Sequence, residues 1–287
     1  MKTVTNFWAV VLCAASLLAQ TPQAVIADPP ADKAHPARME VPDVPSHGVG
    51  LYAVFYLAAG DGPHPTLLLM HGFPGNEQNM DLAQAVRRAG WNVLVPHYRG
   101  SWGSPGDFSF EHCIEDTQAA VTFLNDPANV KKYAIDARHI VLAGHSMGGF
   151  MVADVAAHDP RVAGVALISA WDIGRDKEAV DSISDDFREN ASRLKGTSAE
   201  TLQQEIKRNR QAWDFIDWAP LMKGRPVLVI DSNDGLQPVN HDFAEAAKKA
   251  GDGRVTEMHL DTDHGYSDRR IALESAVVRW LEQVAGR

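Results

Sequence analysis

Residues 140–151 read IVLAGHSMGGFM, and this stretch decides the fold. The apolar run Ile140–Ala143 predicts a buried strand, and the apolar residues from Phe150 onward predict a packed helix. Between them lies a G-x-S-x-G motif with Ser146 at its centre, in the strand–turn–helix context that a nucleophile elbow requires. Such a turn leaves the Ser146 hydroxyl exposed above the sheet, and the glycines on either side let strand and helix approach closely.

Apolar runs and segments with helical spacing alternate on both sides of this motif. Further strands are predicted at Thr66–Met70, Trp91–Pro96, Val162–Ser169, Pro226–Ile230 and Val255–Leu260. This βαβα alternation predicts an α/β fold with a mostly parallel, doubly wound sheet and helices on both faces. Residues 172–220 are charged, helix-prone and without a strand pattern, so we expect a helical cap insertion there.

Length and composition narrow the class of protein. The 287 residues suit one large domain, which we place at residues 46–287. The formal charge of −10, without runs of like charge, argues against nucleic acid or an anionic membrane surface as a partner. The chain has no H-E-x-x-H motif, no Cys/His pairing and no glycine-rich phosphate loop, so we expect neither a metal nor a cofactor.

The N-terminus has the pattern of a signal peptide. Lys2 precedes the apolar run Phe7–Leu18, and small residues up to Ala27 offer a cleavage site. We therefore expect residues 1–27 to be removed and the protein to be exported, either to a periplasm or out of the cell. The apolar run is too short to span a bilayer, so no membrane attachment is expected after cleavage. Residues 28–45 are polar and rich in proline, which predicts a flexible lead-in.

A serine nucleophile needs a base beside it and an acid behind that base. In elbow hydrolases the chain order is Ser, then Asp or Glu, then His. His264 follows the last predicted strand, so it would emerge at the same edge of the sheet as Ser146. Asp234, in a turn beyond the preceding strand, is the favoured acid, and Asp231 and Asp172 remain as alternatives.

An acyl-transfer reaction also needs donors for the oxyanion. The loop that begins with His71-Gly72-Phe73-Pro74 directly follows a predicted strand, where such donors belong. We expect the backbone N–H groups of Phe73 and Met147 to form this oxyanion hole, since Pro74 has no N–H. Three aromatic residues near strand ends are candidates for lining the substrate pocket: Tyr98, Trp102 and Trp171.

These motifs resemble those of the α/β-hydrolase superfamily over nearly the whole mature chain. The similarity rests on residues 71–75, residues 144–149, Asp234 with Pro238, and Asp263-His264. Within the superfamily, residues 97–103 (HYRGSWG) and 263–268 (DHGYSD) resemble the catalytic domain of the prolyl oligopeptidase group. The resemblance implies a catalytic triad of Ser146, Asp234 and His264, and no cofactor.

Two differences from the prolyl oligopeptidase group bear on the substrate. That group carries a propeller domain before its catalytic domain, for which this chain has no room, and it uses a tyrosine side chain as an oxyanion donor where this chain has His71. We therefore expect a stand-alone exported serine hydrolase of carboxylic esters. The alternatives are a serine peptidase acting on short peptides, an acyltransferase, and a hydrolase-fold protein that only binds its ligand. The expected partner is a small ester or a short peptide.

Overall fold

The computed structural model describes residues 20–251 and 254–286, so the predicted apolar run Phe7–Leu18 lies outside the described residues. The strands in the described part are β1 Arg38–Glu40, β2 Asp43–Ser46, β3 Val49–Leu57, β4 His64–Met70, β5 Asn92–Pro96, β6 Ile135–His145, β7 Gly164–Ile168, β8 Val227–Asp231 and β9 Val255–His259. The helices are α1 Gln23–Ile26, α2 Met80–Arg88, α3 Phe110–Asn125, α4 Pro127–Lys132, α5 Met147–His158, α6 Lys177–Asp181, α7 Asp185–Ser192, α8 Ala199–Asn209, α9 Gln237–Lys249 and α10 Arg270–Val284, with a 3-10 helix at Phe215–Met222.

The strands form one sheet in the order β1-β3-β5-β4-β6-β7-β8-β9, with β2 paired to β3. All neighbours from β5 to β9 are parallel, whereas β1, β2 and β5 are each antiparallel to β3. The mostly parallel sheet predicted from the βαβα alternation is thus confirmed. Because the central strands are parallel, all their carboxyl ends lie along one edge, where ligands bind in open α/β sheets.

The apolar strands are buried because helices cover both faces of the sheet. In β4, Leu67 and Leu69 belong to one hydrophobic cluster and Leu68 and Met70 to the other, and none is more than 1% exposed. Successive side chains of a strand point to opposite faces, so a continuous apolar run is required where both faces are covered. The core thus has two layers, one on each side of the sheet.

The predicted flexible lead-in over residues 28–45 is wrong for its second half. Strands β1 and β2 lie at residues 38–40 and 43–46, and both pair with β3. Val44 is fully buried, and the Ser46 hydroxyl donates a 2.6 Å hydrogen bond to the buried carboxylate of Asp116. Proline is tolerated on an edge strand because the missing N–H can face solvent, so Pro45 does not prevent pairing.

Residues 172–222 leave the sheet and carry α6, α7, α8 and the 3-10 helix, with no strand in this wholly described stretch. Side-chain caps begin these helices: Asp176 accepts from the N–H of Ala179, and Ser184 from that of Phe187. Glu205 of α8 is buried and accepts the backbone N–H groups of the first two residues of α3, at 3.1 and 2.7 Å. These hydrogen bonds fix the insertion over the carboxyl edge of the sheet domain.

Candidate active site

Ser146 lies in the one-residue turn between β6 and α5. Its backbone has φ 56° and ψ −123°, a conformation that L-residues rarely adopt and that costs energy. The surrounding structure holds it there, because the Ser146 N–H donates to the carbonyl of Ile168 (2.9 Å) and the Ser146 carbonyl accepts from the N–H groups of Gly149 and Trp171. This is the strained elbow that the motif predicts.

The two glycines of the motif are required by close backbone contacts. A Cβ atom at Gly144 would lie 2.1 Å from the carbonyl oxygen of Gly148, and one at Gly148 would lie 2.3 Å from that of Met70. Backbone atoms cannot move aside as a flexible side chain can. Any side chain at either position would therefore displace the elbow from the sheet.

The loop after β4 passes directly beside the serine. A Cβ atom at Gly72 would lie 2.9 Å from the Cβ of Ser146 and 3.4 Å from its hydroxyl oxygen. The next residue, Phe73, lines the same cavity as Ser146. Within the described residues, the N–H groups of Phe73 and Met147 donate to no protein acceptor. Both predicted oxyanion donors are thus unpaired amides on the two segments that adjoin the serine.

His264 contacts the carboxylate of Asp234. Its Nδ1 lies 2.8 Å from Asp234 Oδ2, and the Asp234 side chain is only 4% exposed. The same carboxylate accepts from the Ser232 hydroxyl (3.0 Å) and the Leu236 N–H (2.9 Å). Burial raises the pKa of Asp234, but its hydrogen bonds, led by that from His264, outweigh burial and hold this pKa well below the usual range. The charged carboxylate can therefore fix Nδ1 as the protonated ring nitrogen.

The alternative acids lie elsewhere. Asp231, the last residue of β8, pairs with Nδ1 of His259 on the neighbouring strand (2.5 Å). Asp172 is buried, and burial together with the nearby Asp214 raises its pKa to about 7. Neither residue hydrogen-bonds to His264 in the part of the chain that the structure describes.

Ser146 and His264 line one cavity of about 520 Å³, together with Phe73 and Trp171. Across the described residues, no hydrogen bond joins the Ser146 hydroxyl to the His264 ring. The structure thus brings nucleophile and base to the same cavity, but it joins only the base and the acid by a hydrogen bond.

Of the three aromatic candidates, only Trp171 lines this cavity. Tyr98 is fully buried and donates its hydroxyl to the carbonyl of His71 (3.2 Å), and Trp102 is half exposed and donates Nε1–H to the carbonyl of Pro74 (2.8 Å). The prediction that Tyr98 and Trp102 line the pocket is therefore wrong. Both residues instead hold the loop that follows β4, because their polar groups bond its backbone.

His145 is a residue of the site that the sequence analysis did not single out. It is 3% exposed, its Nε2 lies 2.8 Å from the carbonyl oxygen of His264, and the two rings are 4.6 Å apart. Burial lowers the pKa of His145 to about 3, so the ring is neutral and its Nε2–H donates to that carbonyl. The signal was present, since His145 immediately precedes the serine in the motif.

A chain of hydroxyl groups behind Asp234 was also missed. The Tyr266 hydroxyl contacts that of Ser169 (2.8 Å), Ser169 contacts Ser232 (3.1 Å), and Ser232 donates to Asp234. Ser169 and Ser232 each directly follow a parallel strand, which is where polar residues of a site are expected. This network ends at Oδ2 of Asp234, the same oxygen that contacts His264.

One group of side chains in the described residues has the spacing of metal ligands. The ligand atoms of His241, Glu245 and Glu257 lie within 4.8 Å of one another. However, the ammonium group of Lys248 donates to Glu245 (3.0 Å) and to Glu257 (2.7 Å). A lysine cation thus already occupies the position between these carboxylates that a metal ion would take.

Comparison with known proteins agrees with this architecture. Residues 65–191 match the sequence model of a family described as having the alpha/beta hydrolase fold. An uncharacterized 31.7 kDa protein of Escherichia coli is 32% identical over 115 residues, which cover 39% of this chain and 40% of that protein. The chain thus spans well under half the length of this curated relative. In the described residues, no helix combines the length and apolar character needed to cross a membrane.

Solved structures extend the similarity to most of the chain. A hyperthermophilic esterase from Pyrobaculum calidifontis superposes with a TM-score of 0.66 at 20% identity, covering 88% of each chain. The acylaminoacyl peptidase of Pyrococcus horikoshii gives a TM-score of 0.67 at 16% identity, covering 86% of this chain and 41% of that one. The chain therefore has the α/β-hydrolase fold, which confirms the predicted fold class, and the matched family model agrees with the superfamily resemblance of its motifs.

Proposed function

We propose that this protein is an exported serine hydrolase that cleaves carboxylic esters through an acyl-enzyme on Ser146. The observation that carries the proposal is the 2.8 Å hydrogen bond between Asp234 and His264, with His264 and the strained elbow serine lining one cavity. A buried carboxylate bonded to Nδ1 leaves Nε2 as the basic nitrogen, which is the tautomer that a general base requires.

In this mechanism the Ser146 oxygen attacks the ester carbonyl while His264 Nε2 takes the hydroxyl proton. The developing oxyanion accepts from the N–H groups of Phe73 and Met147. The alkoxide leaves with the proton from His264, and water then repeats the sequence on the acyl-serine to release the acid. Proton transfer requires the serine hydroxyl and the imidazole to come into hydrogen-bond contact when substrate binds, as catalytic hydrogen bonds commonly do.

Hydrolysis of p-nitrophenyl butyrate, together with labelling by a fluorophosphonate probe, tests the proposal. We expect Ser146→Ala to lower kcat/KM by at least about 10⁴-fold and to abolish labelling. Ser192→Ala, on the exposed surface of α7, is the matched control and retains full activity. Activity of Ser146→Ala equal to that of the control, or labelling at another residue, contradicts the mechanism.

A second candidate is cleavage of amide bonds in short peptides, favoured by the structural likeness to an acylaminoacyl peptidase. The same residues would serve both reactions, so only substrates separate them. An acyl-amino-acid p-nitroanilide and the matching p-nitrophenyl ester differ mainly in the leaving group. A kcat/KM for the anilide comparable to that for the ester, after correction for uncatalysed rates, identifies a peptidase.

We also propose that the first 27 residues are a signal peptide, on the support of the apolar run that ends at Leu18 and the small residues up to Ala27. Cleavage there would remove α1, whose backbone carbonyls at Ala24 and Val25 accept hydrogen bonds from Arg88. N-terminal sequencing of protein recovered from the host's exported fraction is the test. We expect Asp28 as the first residue, and full-length protein in the cytosol contradicts export.

A further inference from the structure

The cavity above Ser146 is lined by acidic side chains. Asp176, Glu178 and Asp186, all from the insertion over residues 172–222, contribute three carboxylates to its wall. Among the described residues that line it, none is a lysine or arginine, and His264 is the only basic side chain. A substrate that enters this cavity therefore meets a negative electrostatic potential from the three carboxylates.

Within residues 20–251 and 254–286, no lysine or arginine pairs with these carboxylates. Asp176 accepts hydrogen bonds from the Trp171 indole (2.6 Å) and the Ala179 N–H (2.9 Å), and Asp186 accepts from the Asn190 amide (3.1 Å). All three donors are uncharged, so they fix the carboxylates in place without cancelling the charge. Over the described ranges, none of the three acidic groups forms an ion pair.

The acidic lining does not reflect a shortage of cations in the insertion. Arg175 and Lys177 line a different cavity, of about 650 Å³, together with Lys207, Arg208 and Arg210. The arginines in and directly after α7 are also engaged with other acids, because Arg188 pairs with Glu200 and Arg193 with Glu189. This second cavity also contains Asp214 and Asp217, so its charges are mixed, whereas the charged groups of the insertion that line the cavity of Ser146 are all carboxylates.

Aromatic side chains complete the wall. Phe73, Trp171 and Phe187 all line the cavity, and the ring centroid of Phe73 lies 5.3 Å from that of Phe187 and 6.3 Å from that of Trp171. The faces of such rings attract cations, most strongly organic ammonium groups whose own hydration is weak. The carboxylates attract an ammonium group by charge, and the aromatic rings attract it by cation–π interaction. These two effects are independent, and both favour an organic cation.

We propose that this cavity selects substrates that carry an organic ammonium group, and that Glu178 and Asp186 determine this specificity. The inference rests on the proposed hydrolase function and names its substrate class: an ester or amide with a positively charged amine some bonds from the scissile carbonyl. Esters that carry a carboxylate at the same position are repelled. The hydrolytic step is unchanged, because the charge acts on binding at a distance from the reacting atoms.

Matched esters test the proposal. On the acyl side, p-nitrophenyl 4-(trimethylammonio)butyrate is compared with p-nitrophenyl 5,5-dimethylhexanoate, in which carbon replaces nitrogen, and with the p-nitrophenyl ester of glutarate. On the alcohol side, butyrylcholine is compared with 3,3-dimethylbutyl butyrate. After correction for uncatalysed rates, we expect kcat/KM to favour the cationic member of at least one pair by about tenfold at low salt. That preference should fall to about threefold at high salt, where surface charges are screened.

Substitutions assign the preference to the named residues. The double variant Glu178→Gln/Asp186→Asn should lower the cationic-to-neutral ratio of kcat/KM by at least about fivefold. Asp185→Asn is the matched control, because this residue adjoins Asp186 on the same exposed helical turn but does not line the cavity. It should leave the ratio unchanged. A ratio near one in both pairs, or a ratio that the double variant does not change, overturns the proposal.

Binding measurements separate this inference from the proposed function. The Ser146→Ala variant cannot form the acyl-enzyme, so its equilibrium affinities for the cationic and neutral esters report on the cavity alone. Tighter binding of the cationic ester without turnover by the wild-type protein would refute the hydrolase function and keep the charge selection. If the wild-type protein hydrolyses both esters and Ser146→Ala binds them with equal affinity, the hydrolase function stands and the charge selection is refuted.

Discussion

Replacing Asp234 by asparagine tests the central hydrogen bond of the site. One oxygen of Asp234 accepts the Leu236 N–H (2.9 Å), and the other accepts from His264 and Ser232. In Asp234→Asn the amide oxygen keeps the bond to Leu236, so the NH₂ group faces the imidazole. Nδ1 must then accept a hydrogen bond from this NH₂ group rather than donate one, which places the ring proton on Nε2.

An imidazole protonated at Nε2 cannot take the proton of the Ser146 hydroxyl. In serine protease triads this tautomer change costs about 10⁴-fold in kcat, and we expect a loss of about 10³- to 10⁴-fold here. The substitution keeps the size and two of the polar contacts of the side chain, so the melting temperature should change little. The substitution should therefore lower kcat without lowering the stability of the fold.

The assay is kcat/KM for p-nitrophenyl butyrate, with circular dichroism melting to verify folding. Asp231→Asn is the matched control, because Asp231 is also buried at the end of β8 but pairs with His259 instead. The Asp231→Asn variant should keep kcat/KM within about threefold of the wild-type value, because it weakens only one hydrogen bond, to His259, outside the active site. If Asp234→Asn keeps more than a tenth of the activity, or if Asp231→Asn loses more than Asp234→Asn, the assignment of the acid is refuted.

Three further substitutions probe the elbow, the histidine loop and a buried acid. Gly148→Ala places a Cβ 2.3 Å from the carbonyl oxygen of Met70, so we expect about 1–3 kcal/mol of lost stability and at least about 100-fold lower kcat/KM, measured by thermal melts and ester hydrolysis. His145→Leu removes the donor to the His264 carbonyl and should lower kcat by about 10- to 100-fold with a shifted pH profile, whereas His145→Gln should recover part of this loss; equal activities of the two variants would contradict a positioning role. Asp172 has a folded-state pKa of about 7, above its ordinary value of 3.8, so the folded state binds more protons and the free energy of unfolding falls as pH rises from about 4 to 7. Asp172→Asn should remove this dependence and stabilise the protein at pH 8 by at most about 4 kcal/mol but not at pH 4, and equal melting temperature changes at both pH values would refute it.

Much of the fold could be predicted from local patterns. The run from Thr66 to Met70 predicted a strand covered on both faces, and all its residues are buried. Apolar periodicity is a local signal, so it predicts a strand even when the strands and helices that pack against it are unknown. It fails where pairing is decided by distant segments, as in the proline-rich residues 38–46, which become strands only because β3 offers them an edge.

The side chains around the loop after β4 show the same limit. Tyr98 and Trp102 stand near a strand end, as pocket residues do, but their polar groups bond the backbone of His71 and Pro74. Whether an aromatic ring faces a cavity or supports a loop depends on the path of that loop. Sequence distance carries no information about it.

The sequence by itself determined the elbow around Ser146, the parallel sheet, and the edge at which residues from β6, β8 and β9 emerge, because each follows from periodicity, turn chemistry and the rules of strand connection. Only the tertiary structure decided that Asp234 rather than Asp231 contacts His264, that His145 is bonded to the His264 carbonyl, and that the cavity is acidic. These properties depend on angstrom-scale distances between residues far apart in the chain, which loop paths and packing fix together and no local pattern encodes.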